Sequence, residues 1–165
     1  MCLEIERRFL VKNDDWKEFI TKKIFIEQGY LSKSLDDWII RIRFTGKDFK
    51  IALKKHIKSF TNFEFEYSIP QSDGEQIMSY IANSIKKERF FLEIEKNTWV
   101  IDCFKESNYP LEIAEIEMSR EEEDLSLPSF ISKEITGLRH FSNFNLANNP
   151  FSKWKDDYLT THKNN

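Results

Sequence analysis

A chain of 165 residues, 40% hydrophobic and 32% charged, has the size and composition of one compact globular domain. Its 25 Lys and Arg stand against 28 Asp and Glu, a net charge of -3 that excludes a general nucleic-acid coat and a polybasic membrane anchor. With 4 Gly, 4 Pro and 2 Cys, long flexible linkers and a disulfide framework are excluded as well. No apolar run reaches the roughly 18 residues of a membrane span. The N-terminus turns acidic at Glu4 without an apolar stretch of signal-peptide type, so a cytoplasmic location is expected.

In chain order, the first signal is Leu3-Glu4-Ile5-Glu6-Arg7-Arg8-Phe9, a period-two alternation that places Glu4, Glu6 and Arg8 on one strand face. Asn13 or Asp14 is positioned to cap a short helix from about Asp15 to Lys22. Phe25 to Leu31 reads as a second strand, followed by a turn near Lys33–Asp36. Ile39-Ile40-Arg41-Ile42-Arg43-Phe44 puts both arginines on one face, and after a turn at Gly46–Asp48 the pattern returns in Lys50-Ile51-Ala52-Leu53-Lys54. Phe63-Glu64-Phe65-Glu66-Tyr67 alternates in the same way with acidic residues. A helix opens at Ser72–Asp73, with Ile77, Tyr80, Ile81 and Ile85 at helical spacing. Three further strands are expected around Lys87–Phe90, Trp99–Cys103 and Ala114–Met118, joined by turns at Lys96–Asn97 and Glu106–Pro110. Beyond residue 119, an acidic turn and Pro128 predict short helices, and Asn149–Lys155 a final one. No internal repeat or domain boundary interrupts residues 1–165; the core is expected over 1–147, with 148–165 a C-terminal helix and tail.

A sheet with one wet face explains charges at alternate positions. Here, however, each charged face tends to one sign: basic on the third, fourth and sixth strands, acidic on the fifth and eighth. The opposite faces are bulky and apolar. These features favour an α+β, mainly β fold, about eight strands closed into a barrel with helices packed outside and the charged faces inward. The lumen would hold the carboxylates Glu4, Glu6, Glu64, Glu66, Asp102, Glu115 and Glu117. It would also hold the cations Arg8, Arg41, Arg43, Lys54, Lys87 and Arg89. Buried charge on this scale must be paired or coordinated. Arginine and lysine suit phosphoryl oxygens, and carboxylates suit Mg²⁺ or Mn²⁺, so a polyphosphate chain with a divalent metal uses both signs.

These residues also carry a resemblance. Glu4-Ile-Glu6-Arg-Arg8 resembles the E-x-E-x-K signature of the CYTH superfamily, the triphosphate tunnel metalloenzymes. Further matches follow in order at Gln28-Gly29-Tyr30-Leu31, Trp38–Arg43, Ile51–Lys54, Phe63–Tyr67, Lys87–Phe90, Trp99–Asp102 and Ala114–Glu117. The segments Glu134–Gly137 and Phe141–Ala147 resemble the closing region of small bacterial members. The resemblance implies an eight-stranded antiparallel β-barrel, a tunnel that binds a triphosphate with Mg²⁺ or Mn²⁺ and hydrolyses its terminal phosphoanhydride, with inorganic triphosphate the first-choice substrate.

In that scheme Arg8, Arg41, Arg43, Lys54, Lys87 and Arg89 cradle the phosphates. Glu4, Glu6, Glu64, Glu66, Asp102, Glu115 and Glu117 hold the metals, and Arg8, Glu64 and Glu66 are the catalytic candidates. One departure is visible: position 8 is Arg where the family usually has Lys. Arginine keeps the charge but does not give up its proton near neutral pH, so its expected role is electrostatic. A polyphosphate small molecule is the expected partner, with no membrane and no specific nucleic acid; a homodimer is compatible with the family. A non-catalytic polyphosphate- or nucleotide-binding module stays open as an alternative, as do thiamine triphosphatase, nucleoside or RNA triphosphatase and adenylate cyclase.

Other residues read more plainly. His56, His140 and His162 lack metal-ligand spacing, and Cys103 points away from the lumen by parity. Tyr30 fits either substrate contact at a tunnel mouth or a packed core, and Ser142 and Asn143 read first as cap or turn residues, with direct substrate contact the alternative.

Overall fold

In a computed structural model, residues 3–32, 38–58 and 61–156 are described. The strands are β1 (Leu3–Val11), β2 (Ile20–Tyr30), β3 (Ile39–Phe44), β4 (Phe49–Lys58), β5 (Thr61–Ile69), β6 (Ser84–Ile94), β7 (Asn97–Phe104), β8 (Glu112–Glu117) and β9 (Ile131–Glu134). Two α-helices accompany them, α1 (Gln71–Ser79) and α2 (Asn143–Asn148). The sheet runs β5-β4-β3-β2-β6-β7-β8-β1, and β1 closes it by pairing Leu3 with Phe63 and Ile5 with Thr61. All these pairings are antiparallel, so β1 to β8 form a closed barrel, with the second half of β1 left unpaired by β5. The short β9 shares the edge of β1 beyond β5, pairing Val11 with Ile131.

The alternation read from the sequence becomes register. Arg8 lies opposite Glu115, Arg89 opposite Asp102, Lys54 opposite Glu64, and Gln28 opposite Arg43. Directly opposed residues share a face, so these polar groups all turn inward. Two apolar clusters use the remaining surfaces. One lies outside the wall, where Phe9, Trp99, Ile116 and Leu92 pack against Trp16 and Phe130. The other lies within the barrel, where Ile85, Phe104 and Ile113 meet Ile135, Phe141, Leu146 and Phe151 of the C-terminal segment. That segment plugs one end. Helix α1 covers β3 and β4 on the outside, close enough that a Cβ at Gly74 would lie 2.2 Å from the Phe49 ring.

Several local expectations are corrected. The first helix is only a 3-10 turn, Asp15–Phe19, because Ile20 already pairs with Leu92 and β2 starts there. Ile85 is not a helical residue: α1 stops at Ser79, and Ile85 belongs to β6, where it faces Gln28. After residue 119 the chain forms β9, recruited by the open edge of β1, and the final helix is a 3-10 turn, Phe151–Lys153. Phe151 is buried, so the core extends past residue 147. The turn expected at Lys33–Asp36, along with Cys2 and His162, lies largely or wholly outside the described residues. No helix among the described residues is long and apolar enough to cross a membrane.

Candidate active site

The barrel encloses a cavity of about 750 Å³. Strand β1 contributes Glu4, Glu6 and Arg8; β3 and β4 contribute Arg41, Arg43 and Lys54; β5 contributes Glu64 and Glu66; and the far wall contributes Arg89, Glu115 and Glu117. Residues up to 113 positions apart (117 − 4) thus converge because period-two strands of one closed sheet share an inner face.

Two ionic groupings divide the interior. On one side Arg41 Nη2 donates to Glu64 Oε1 at 2.6 Å and to Glu66 Oε2 at 2.9 Å, and Lys54 lies against Glu4 and 3.8 Å from Glu64. On the other side Arg8 Nε donates to Glu115 Oε1 at 3.1 Å and lies 3.4 Å from Glu6. Arg89 Nη2 reaches Glu115 Oε2 at 2.5 Å and Asp102 Oδ2 at 2.7 Å, and its Nε donates to Asp102 Oδ1 at 2.7 Å.

Charge is unevenly satisfied. Burial, then the neighbouring Arg41 and Arg89, bring the Arg43 guanidinium down to about 10; its contact with Glu66 is 3.7 Å long. The Nε atoms of Arg41 and Arg43 are buried with no hydrogen-bond partner among the described residues. Among the acids, burial first and then the charge of Glu6 push Glu4 up to about 8, despite Lys54. Burial and Glu115 raise Glu6 as well. Burial also works against the charge of Glu64, but Arg41 and a hydrogen bond from Glu4 outweigh it and hold its carboxyl at about 2. Arg8 rises although burial opposes its charge, because Glu115, Glu6 and Asp102 face it.

Two expected lumen residues do not reach the cavity. Lys87 and Asp102 turn inward but are fully buried against each other, between the cavity and the plug. The reason is depth along the strand, which parity does not encode. Asp102 is also committed, since Arg89 and Lys87 occupy both its oxygens and hold its carboxyl below the usual range against the effect of burial. Among the described residues, no three acidic, histidine or cysteine side chains already converge as a metal cluster. The donor set nevertheless fits Mg²⁺ or Mn²⁺. It is all oxygen, and Glu4 and Glu6 are acids raised by burial and by neighbouring carboxylates, the condition that a hard divalent cation relieves.

Tyr30, Ser142 and Asn143, which the sequence left between structural and substrate-contact roles, also line the cavity, as do Lys96, Asn97, Thr98 and Phe144, which it did not single out. Tyr30 takes a hydrogen bond on its hydroxyl from Gln28 Nε2 at 2.5 Å and packs edge-on against Phe144. Ser142 caps α2 by accepting from the Asn145 N–H, while Asn143 accepts from Lys87 at 3.3 Å. Cys103 does not line the cavity, and its Sγ lies 3.6 Å from Glu112; burial raises the thiol to about 12.

A closed antiparallel barrel, plugged at one end and lined by opposed arginines, lysines and carboxylates, defines a tunnel protein for a small, highly charged ligand. No protein-family model matches the sequence. The chain is 32% identical over 158 residues to the inorganic triphosphatase of Acetivibrio thermocellus, covering 94% of this chain and 100% of that protein. It therefore belongs to the CYTH superfamily of triphosphate tunnel metalloenzymes. Among solved structures, it is similar to the inorganic triphosphatase NE1496, with a TM-score of 0.65 and 25% identity over 87% of this chain and 97% of that one. A conserved hypothetical protein of Pyrococcus furiosus shares the fold, with a TM-score of 0.57 and 17% identity over 72% of this chain and 80% of that chain.

Proposed function

We propose that the barrel interior binds inorganic triphosphate with a divalent metal and hydrolyses it to pyrophosphate and orthophosphate. The observation that carries this reading is Arg43, a guanidinium in the cavity whose contact with Glu66 is 3.7 Å long and whose buried Nε, like that of Arg41, has no hydrogen-bond partner among the described residues. A phosphate chain supplies the missing acceptors, several on each phosphorus, in the bidentate geometry that guanidinium prefers. The names of the Acetivibrio relative and of NE1496 support the same substrate.

Arg41, Arg43, Lys54 and Arg89 would bind the non-bridging oxygens from different strands, fixing the chain along the cavity. Glu4, Glu6 and Glu64 would hold Mg²⁺ or Mn²⁺, with Glu66, Glu115 and Glu117 as further oxygen donors. The metal, when bound, supplies charge neutralisation of the phosphoryl oxygens. Asp102, expected as a ligand, instead anchors Lys87 and Arg89.

In hydrolysis a water oxygen bonds to the terminal phosphorus as the bond to the bridging oxygen breaks. Pyrophosphate leaves with the bonding electron pair, and the water's proton passes to solvent. Glu64, with its carboxyl at about 2, is ionised at neutral pH and too weak a base to take that proton. Its role, with Glu66, is to accept hydrogen bonds that aim the water. Arg8 stabilises charge on the phosphoryl group and does not exchange protons, because Glu115 and Glu6 hold it cationic.

A phosphate-release assay on the purified protein tests the proposal, with triphosphate, pyrophosphate, ATP and thiamine triphosphate, each in Mg²⁺, Mn²⁺ or chelator. Release from triphosphate in metal, and none in chelator, is expected. No release from triphosphate under any condition would overturn the proposal and leave a binding module.

A further inference from the structure

We propose that Asn143 is a further substrate-binding residue, presenting its amide Nδ2–H groups to a phosphoryl oxygen, and that Lys87 is the positioning residue that orients this amide from behind. The inference rests on the reading of the cavity as a triphosphate site.

Lys87 shares the inward parity of Arg89, yet it is fully buried and does not line the cavity. Its Nζ donates to Asp102 and, at 3.3 Å, to Asn143 Oδ1, and lies 5.3 Å from the centre of the Phe104 ring. An ammonium walled in this way does not touch an anion in the cavity. Asn143 does line it. An asparagine amide has one acceptor and two donors. With Oδ1 taken by Lys87, the donor end is what remains for the cavity, and among the hydrogen bonds of the described residues Nδ2 donates none. Lys87 therefore selects the orientation in which the amide offers protons rather than an oxygen.

The segment that carries Asn143 is held from both sides. Arg8 Nη2 donates to the Phe141 carbonyl at 2.9 Å, Phe141 and Leu146 are buried in the plug, and Phe144 packs edge-on against Tyr30. The amide is thus fixed before a ligand arrives, so little ordering is left to oppose binding. It also adds a donor without adding charge. That suits an interior where Arg8, Arg41, Lys54 and Arg89 are already matched to carboxylates, and where a further cation would need its own counterion.

The test uses two substitutions and measures triphosphate binding to the metal-free full-length protein by titration calorimetry, with thermal unfolding in parallel. Asn143→Asp is nearly isosteric and gives Lys87 a stronger partner, but it offers the cavity an acceptor only. Asn143→Ala removes the donor without introducing charge. We expect both to weaken triphosphate binding about tenfold or more, the worth of one hydrogen bond to a charged group, and Asn143→Asp to unfold at or above the native temperature. A purely structural role would have Asn143→Asp bind as the native protein does. A simple field effect would leave Asn143→Ala within twofold of native. Either result overturns the inference while the function stands. Failure of the native protein to bind triphosphate would remove the cavity reading itself, and the inference with it.

Discussion

Residue 8 offers the sharpest internal test, because its substitution acts on stability and catalysis by separable routes. Arg8 spends Nε on Glu115 and Glu6 and Nη2 on the Phe141 carbonyl, tying the lumen to the plug. In Arg8→Ala, Glu115 keeps Arg89 at 2.5 Å, so the penalty for stranding a buried charge is partial. The Phe141 carbonyl loses its side-chain donor. We expect a loss of about 3 kcal/mol in folding stability, toward the lower end of the range for breaking a buried pair. Losing one preorganised charge at the reacting phosphoryl group should lower kcat by about 10²–10³. Arg8→Lys restores the charge but not the forked geometry. It should fold with a loss of about 1–2 kcal/mol and keep kcat within roughly tenfold of native.

Urea denaturation and kcat measured against pH separate these effects. The native profile should show no alkaline limb from residue 8, since the guanidinium is held charged. If Arg8→Lys instead raised kcat strongly and introduced a new alkaline limb, residue 8 would have to move a proton, and the electrostatic account of Arg8 would be refuted.

Glu4 predicts a pH effect on the free protein. Burial and Glu6 raise it from 4.5 to about 8, so its contribution to stability is complete below the ordinary glutamate range and is lost as pH rises toward 8. The thermal midpoint should fall over that interval, Glu4→Gln should flatten the dependence, and Mg²⁺ should raise the midpoint more near pH 8 than near pH 6; a native midpoint independent of pH there would refute the assignment. Gly74→Ala should destabilise by about 1–3 kcal/mol, because the new methyl would lie 2.2 Å from the Phe49 ring and α1 must move off the wall. An unchanged urea midpoint would show that α1 does not pack as described.

Much of the site was legible because a strand's inner face is fixed by parity. Glu4, Glu6 and Arg8, or Arg41 and Arg43, fall together whatever the barrel's details. Depth was not legible. Lys87 and Arg89 share a face, yet one is sealed beside the plug and the other reaches the cavity, a difference set by how far the C-terminal segment enters. Short segments misled for a related reason. Ile85 matches helical spacing with Ile77 and Ile81, but pairing with Gln28 across the sheet outweighs a weak local preference. Strand β9 carries almost no alternation of its own and exists because β1 offers an unpaired edge beyond β5. That Asn143 lines the cavity was only half legible, because an Asn beside a Ser at a helix start is also what an ordinary cap looks like.

The most direct test of the central claim follows triphosphate turnover by phosphorus NMR, comparing the native protein with Arg43→Met in Mg²⁺. Met preserves much of the aliphatic bulk of a side chain that has little ionic support in the free protein, so the variant should fold with a near-native midpoint. The account predicts that the native protein converts triphosphate into pyrophosphate and orthophosphate in equal amounts and that Arg43→Met slows this by about 10²-fold. Equal turnover by a folded Arg43→Met, or no cleavage of triphosphate by the native protein, would contradict it.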